Sequence, residues 1–82
     1  MAIALNHTIV NVRDARASAD FLTGLFGLPP AKRFAHFLSV ELSNGVTLDF
    51  CDADYDPEAQ HYAFLVEPGG HFLEIITRPY ST

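Results

Sequence analysis

The 82-residue sequence contains a single cysteine, Cys51, and no tryptophan. One cysteine excludes an intrachain disulfide and is the simplest pattern for a protein of a reducing compartment. A folded chain this short buries only about 60–65% of the surface that its unfolded form exposes, so a single core is marginal without further support. With no disulfide available, we expect that support to come from a bound metal ion or from a second subunit.

Cations and long apolar runs are also scarce. Lys32 and four arginines stand against ten acidic residues, which gives a formal net charge of -5. This balance lacks the basic surface of a nucleic-acid-binding protein. No segment approaches the ~20 apolar residues of a membrane span, and the N-terminal MAIALNH has no basic leader region. The sequence therefore predicts a cytoplasmic protein whose partners include neither nucleic acid nor membrane.

A strand and a helix are predicted at the N-terminal end. Residues 5–12, LNHTIVNV, alternate so that His7 and Ile9 share one face of a strand. Asp14 is a favourable N-cap for a helix over residues 15–26, which Gly27 ends. Helical spacing predicts that the apolar stripe of this helix consists of four residues, Ser18, Phe21, Leu22 and Leu25.

Three strands are predicted after the helix. A short extended piece near residues 32–35 precedes FLSVEL (37–42) and VTLDFC (46–51). Asn44-Gly45 predicts a hairpin between the last two, because both residues tolerate the positive φ of a type I′ turn. Alternation directs Asp49 away from the face of Leu48 and Phe50. The order to this point is βαβββ.

Two further strands are predicted at HYAFLV (61–66) and HFLEIIT (71–77). The four residues between them permit only an antiparallel hairpin or a chain that continues into another subunit. The predicted fold class is α+β, with one βαβββ module plus two further strands. We expect a mixed sheet with a helix on one face, completed by dimerisation, because the other face has no helix to cover it.

Four residues of metal-ligand type lie on the predicted strands: His7, Asp49, His61 and Glu74. A single strand histidine is more often a surface or hydrogen-bonded group than a ligand, and Asp49 alone fits a position facing water. Glu74 lies between two apolar residues, and an unpaired buried carboxylate would cost several kcal/mol unless it were neutralised or coordinated. Two histidines and a carboxylate are a plausible metal-ligand set, but their distance in sequence leaves the assignment open.

The order of four segments is typical of a known family. The segments are LNHTIVNVRDARASADFLTGLFGLP, VTLDF, QHYAFLV and GGHFLEIITRP. Together they resemble the vicinal oxygen chelate superfamily, which includes glyoxalase I, extradiol dioxygenases, and the fosfomycin and bleomycin resistance proteins. The resemblance implies a single glyoxalase/bleomycin-resistance-like domain over residues 1–82, with a βαβββ module at 1–52 and a shortened second module at 60–78. A typical member has a helix and two more strands where this chain has residues 67–70.

The resemblance also implies a site. A divalent metal ion (zinc, nickel, iron or manganese) would be held by His7, His61 and Glu74, with Asp49 as a fourth or outer ligand. Glu74 would also be the catalytic carboxylate, acting on a small substrate with two adjacent oxygens in glyoxalase-like or dioxygenase-like chemistry. The missing segment normally walls the substrate pocket, so we expect weak turnover. The apolar strands that it leaves uncovered imply a homodimer.

Two alternatives remain open at this stage. One is a metal-free protein that binds a small hydrophobic or cationic ligand between two copies, as the resistance-type relatives do. The other is an inactive, truncated relative. Metal content distinguishes the first hypothesis from both alternatives, and a ligand-induced rise in melting temperature distinguishes the two alternatives from each other.

Overall fold

The computed structural model describes residues 1–76, and for Ile76 the backbone only. Thr77 and Arg78, the last residues of the predicted second module, lie outside the described residues. Within that range the chain forms one helix and six strands: β1 (His7–Val12), α1 (Ala15–Phe26), β2 (Lys32–Phe34), β3 (Phe37–Glu41), β4 (Thr47–Asp52), β5 (His61–Val66) and β6 (His71–Ile76). No helix of the described range is long and apolar enough to cross a membrane.

The strands form two separate sheets. The first has the order β1-β4-β3-β2, with β1 parallel to β4 and the other neighbours antiparallel. The second is the antiparallel β5–β6 hairpin, whose turn is closed by a bond from the Gly70 N–H to the Val66 carbonyl at 3.1 Å. The predicted α+β class and the βαβββ order are confirmed. Of the two alternatives left open for the last two strands, the structure has the antiparallel hairpin.

Local capping sets the limits of α1. Asp14 has an extended backbone, and its Oδ1 accepts a hydrogen bond from the Ala17 N–H at 3.0 Å. A second carboxylate, Asp52 at the end of β4, accepts from the Ala15 N–H at 2.7 Å and ties the helix to the sheet. Gly27 ends the helix in the left-handed conformation, at φ 64°. The predicted helix limits are confirmed.

The face of α1 that contacts the sheet differs from the predicted stripe. Phe21 and Leu25 are 63% and 48% exposed, whereas Ala15 and Ala19 are buried together with Leu22. Alanines let the helix approach the sheet closely, so the face that carries them becomes the contact face. The buried core is formed by β-strand and helix residues: Val10, Val12, Ala15, Ala19, Leu22, Leu38, Val40, Leu48 and Phe50.

The hairpin predicted at Asn44-Gly45 is present, but its turn type is not the expected one. Gly45 has φ 86°, while Asn44 is not among the residues with positive φ. The Gly45 N–H donates to the Leu42 carbonyl at 3.0 Å, and the Leu42 N–H donates to the Val46 carbonyl at 2.8 Å. This is the three-residue loop in which an ordinary turn is followed by a left-handed glycine.

The β5–β6 hairpin is attached to the rest of the chain through side chains. The inner face of the hairpin packs against the core through Tyr62, Phe64 and Ile75. The rings of Phe64 and Phe26 meet edge to face, with centroids 5.1 Å apart. Within the described residues no backbone ladder joins β5 or β6 to the four-stranded sheet. The hairpin is therefore a distinct layer on the helix-bearing side of the molecule.

Candidate metal site

His61 and Glu74 lie side by side on the hairpin. Ala63 pairs with Glu74 and His61 with Ile76, so His61 and Glu74 are diagonal neighbours on one face. Nε2 of His61 lies 3.4 Å from Oε2 of Glu74, and the two side chains are 51% and 62% exposed. The alternate positions, such as Tyr62, pack against the core. We call His61 and Glu74 the hairpin half-site; it faces away from the chain's own core.

The separation of the two atoms suits a shared metal ion. Two ligands at ~2.1 Å from a tetrahedral zinc ion lie about 3.4 Å apart, which is the spacing of Nε2 and Oε2 here. Imidazole nitrogen and carboxylate oxygen are both ligands of divalent transition metals. The half-site therefore fits two adjacent ligand positions.

The expectation that Glu74 is a buried carboxylate is wrong for the single chain. Its side chain is 62% exposed, because no described part of the chain covers the outer face of the hairpin. Phe72 and Leu65, on the same face, are 73% and 54% exposed. Glu74 would be surrounded by apolar groups, as its sequence neighbours suggest, only when another molecule covers this face.

His7 lies on the open face of the four-stranded sheet. Val10 and Val12 of the same strand are buried in the core, so alternation directs His7 and Ile9 to the other face. Nδ1 of His7 is 2.8 Å from Oδ1 of Asn6. An amide oxygen can only accept, so the imidazole donates from Nδ1 and keeps the Nε2 lone pair for a ligand role.

Asp49 shares that open face with His7. It pairs with Ile9 in the parallel β1–β4 register, two residues along from His7. Ser39, directly opposite on β3, donates its hydroxyl to Oδ1 of Asp49 at 2.7 Å. Sequence reasoning missed Ser39, although the register set by the 42–46 hairpin would have found it. We call His7 and Asp49 the sheet half-site.

The structure thus places the four predicted ligands in two half-sites. Within residues 1–76, no three histidine, cysteine, aspartate or glutamate side chains come together in a group that could hold a metal ion. The hairpin half-site supplies two ligands, whereas a catalytic zinc site usually has three from protein. One chain alone does not complete the predicted site.

Tyr62 and Gln60 are two polar residues beside His61 that sequence reasoning did not identify. The Tyr62 hydroxyl donates to Oε1 of Gln60 at 2.6 Å, and Nε2 of Gln60 donates to the Asn11 carbonyl at 3.2 Å. Burial raises the pKa of the Tyr62 phenol above its ordinary value, and a hydrogen bond from Thr8 partly offsets this. These contacts connect the start of β5 to β1.

An apolar cavity of about 260 Å³ lies between α1 and the inner face of the hairpin. Its walls include Phe21, Leu22, Phe50, Phe64 and Ile75. The partial exposure of Phe21 is explained by its position at this cavity. The cavity is large enough for a small aromatic molecule, since a cavity of ~150 Å³ can hold benzene.

Comparison with known proteins gave one family match. The model of the Glyoxalase/Bleomycin resistance protein/Dioxygenase superfamily matches residues 4–78. A comparison with curated proteins found no match.

Solved structures similar to this chain include two oxidases. "Oxidase ChaP-H2" is 33% identical, with a TM-score of 0.79 over 100% of this chain and 98% of that chain. "Oxidase ChaP-H1" is 29% identical, with a TM-score of 0.72 over 99% of this chain and 100% of that one. Coverage of nearly the whole length in both directions means that these solved chains are about as long as this one.

Proposed function

Because the chain belongs to the glyoxalase/bleomycin resistance protein/dioxygenase superfamily, we propose that it is a divalent-metal-binding protein of the vicinal oxygen chelate type. It acts on a small substrate with two adjacent oxygens. The observation that carries the proposal is the 3.4 Å separation of Nε2 of His61 and Oε2 of Glu74, the spacing of two ligands on one tetrahedral ion.

The remaining ligand comes from a second copy of the chain. The hairpin half-site is flanked by the exposed side chains of Leu65 and Phe72, and the sheet half-site by Ile9, which is 46% exposed. Apposing these two surfaces buries apolar area on both and brings His7 of one copy to His61 and Glu74 of the other. Two copies then hold two equivalent sites, as twofold symmetry requires.

The roles of the residues follow from their chemistry. The bound ion would supply Lewis acidity to a substrate oxygen. His7 and His61 bind as neutral imidazoles, and the Asn6 contact orients His7 for this. Glu74 has an oxygen that faces the site and can take or return a substrate proton. Asp49, held by Ser39, lies beside His7 as a fourth or outer ligand.

The names of the two solved chains favour one branch of the chemistry. Both are called oxidases, and they are 33% and 29% identical to this chain. We therefore rank dioxygenase-like reaction of a catechol-type compound with molecular oxygen above glyoxalase-like reaction of a hemithioacetal. A 2-oxo acid derivative is a further member of the same substrate class.

Metal retention tests the proposal. After exposure to zinc, nickel, iron and manganese in turn and removal of free ion by gel filtration, we expect about one ion per chain by elemental analysis. Protons compete with the ion for the histidines, so occupancy should fall as the pH drops through ~6.5, where histidine side chains become charged.

His36→Gln is a matched control for this measurement. His36 lies in the β2–β3 turn, where the centroid of its tilted ring is 4.1 Å from that of Phe37. It belongs to neither half-site, so the variant should retain its metal. Loss of the ion from His61→Ala but not from His36→Gln supports the assignment. A parent protein that retains no ion at any pH between 6 and 8 refutes it.

Dimer formation is a separate expected result. Sedimentation equilibrium at micromolar concentration should give the mass of two chains, because residues 1–76 of one chain leave both the outer face of the hairpin and the open face of the sheet uncovered. Phe72, on the outer face of the hairpin, is 73% exposed. Phe72→Lys places a charge on this face and should shift the protein toward monomer. A compact monomer for the parent at this concentration would contradict the two-copy site.

A metal-free binding protein is the second candidate function, and the apolar cavity favours it. The cavity has a volume of about 260 Å³, and most of its lining side chains are apolar. Such a cavity suits an uncharged aromatic ligand. In metal-stripped protein, such a ligand should raise the melting temperature. If the protein binds about one metal ion per chain and loses it when His61 or Glu74 is replaced, the metal-dependent function is supported over the metal-free one.

A further inference from the structure

A chain of hydrogen bonds connects the hairpin to β1. The Tyr62 hydroxyl donates to Oε1 of Gln60 at 2.6 Å, and Nε2 of Gln60 donates to the backbone carbonyl of Asn11 at 3.2 Å. Thr8 also acts on the phenol, because its side chain lowers the Tyr62 pKa and partly offsets the rise that burial causes. Thr8 and Asn11 are both on β1, so the chain begins and ends on the same strand.

These residues are the sequence neighbours of the two predicted histidine ligands. Thr8 follows His7, and Gln60 and Tyr62 stand on either side of His61. Alternation points Thr8 and Tyr62 inward while it points His7 and His61 outward. A bond between the inward side chains therefore fixes the relative position of the outward ones.

Gln60 gives the start of β5 a directional polar link to β1. Within the described residues β5 and β6 share no backbone ladder with the four-stranded sheet. The hairpin also packs through apolar side chains, the Phe26–Phe64 contact among them, and the Arg13–Asp56 ion pair at 3.5 Å joins the loop before β5 to the end of β1. Apolar contacts are not directional, whereas a buried hydrogen bond specifies distance and angle. The Tyr62–Gln60–Asn11 contacts therefore restrict the distance and angle between the start of β5 and β1.

We infer that Tyr62, together with Thr8 and Gln60, is a positioning residue that holds the hairpin half-site at a fixed distance from the sheet half-site of the same chain. The inference rests on the proposed function. In a symmetric pair of chains each copy supplies one half of each site, so both sites form together only if the spacing between the half-sites is correct. Loss of the Tyr62 hydroxyl leaves all ligands present but misplaces them.

The test uses Tyr62→Phe, which keeps the packed ring and removes only the hydroxyl, and Thr8→Val, which removes the other partner. We expect each to weaken metal binding roughly 10-fold, measured by competition with a chromophoric chelator. The pH of half-occupancy should rise, because protons displace a weaker-bound ion more easily. The double variant should bind no more weakly than Tyr62→Phe alone, since Tyr62→Phe already removes the phenol oxygen on which Thr8 acts.

Tyr55→Phe is the control. Tyr55 is 55% exposed in the loop before β5, and losing its hydroxyl should leave the dissociation constant unchanged. All variants are compared at a temperature where circular dichroism shows them folded, so a change of stability alone does not move the result. If Tyr62→Phe does not fold, the dissociation constant of Thr8→Val for the metal tests the positioning role.

The outcomes separate the two proposals. One outcome is that the parent binds metal with the same dissociation constant as folded Tyr62→Phe and Thr8→Val. That result overturns the positioning role and leaves the proposed function standing. A parent that binds no metal overturns both. Weaker binding in these two variants but not in Tyr55→Phe supports the inference.

Discussion

An equal mixture of His7→Ala and Glu74→Ala chains should recover about a quarter of the metal sites of the parent, although each variant alone should have none. If chains pair at random, half of the dimers are mixed. In a mixed dimer one site carries both substitutions and the other carries neither. The expected recovery follows from placing His7 in one copy and His61 with Glu74 in the other.

Mixing His61→Ala with Glu74→Ala provides the matched control. Both residues belong to the hairpin half-site, 3.4 Å apart in one chain, so every site in a mixed dimer lacks one of them and nothing should be recovered. The chains are unfolded and refolded together so that they exchange, and bound metal is measured by elemental analysis. Recovery in neither mixture, with a metal-binding parent, would show that the site lies within one chain.

Glu74→Gln should lower turnover at least ~100-fold, the usual contribution of a general acid or base. The amide keeps the shape of the side chain but loses the negative charge and cannot accept the proton. Because Glu74 is 62% exposed in the single chain, the free energy of unfolding of the metal-free monomer should change by no more than about 0.5 kcal/mol. Oxygen consumption with a catechol and product formation from a hemithioacetal measure the loss, and elemental analysis of parent and variant after the same exposure to metal separates a lost ion from a lost proton acceptor.

Glu67→Gln tests whether any loss of charge on the hairpin has the same effect. Glu67 lies in the turn after β5 and is exposed, so this variant should keep the parent rate. Turnover that survives Glu74→Gln would mean that the chemistry does not use this carboxylate. We expect the parent rate itself to be low, because a rigid, water-excluding pocket supplies much of the acceleration in enzymes.

Much of the fold was predictable because its signals are local. Asp14 and Gly27 mark the ends of α1 through contacts within one turn of the helix. The four-residue link reduces the arrangement of β5 and β6 to two alternatives, of which the structure has the antiparallel hairpin. The contact face of α1 was not predictable in the same way. It depends on how closely Ala15 and Ala19 can approach the sheet, which is a property of two elements together.

The same distinction applies to the site. His61 and Glu74 come together because one short turn fixes their register. The separation of His7 from that pair within one chain depends on how the hairpin packs against β1, which no local pattern specifies. The contacts of Tyr62 and Gln60 were not predictable for the same reason. Their partners, Thr8 and Asn11, are about fifty residues away in sequence.

The bond from the Ala15 N–H to the carboxylate of Asp52 has a consequence for the order of folding. It joins the first turn of α1 to the last residue of β4, 37 positions along the chain, at the point where β1 and β4 lie parallel. The helix N-terminus therefore gains this partner only when the end of β4 has paired with the end of β1. If α1 forms before the folding transition state, Asp14 is then the capping residue of its N-terminus. The Asp52 contact would form after the transition state.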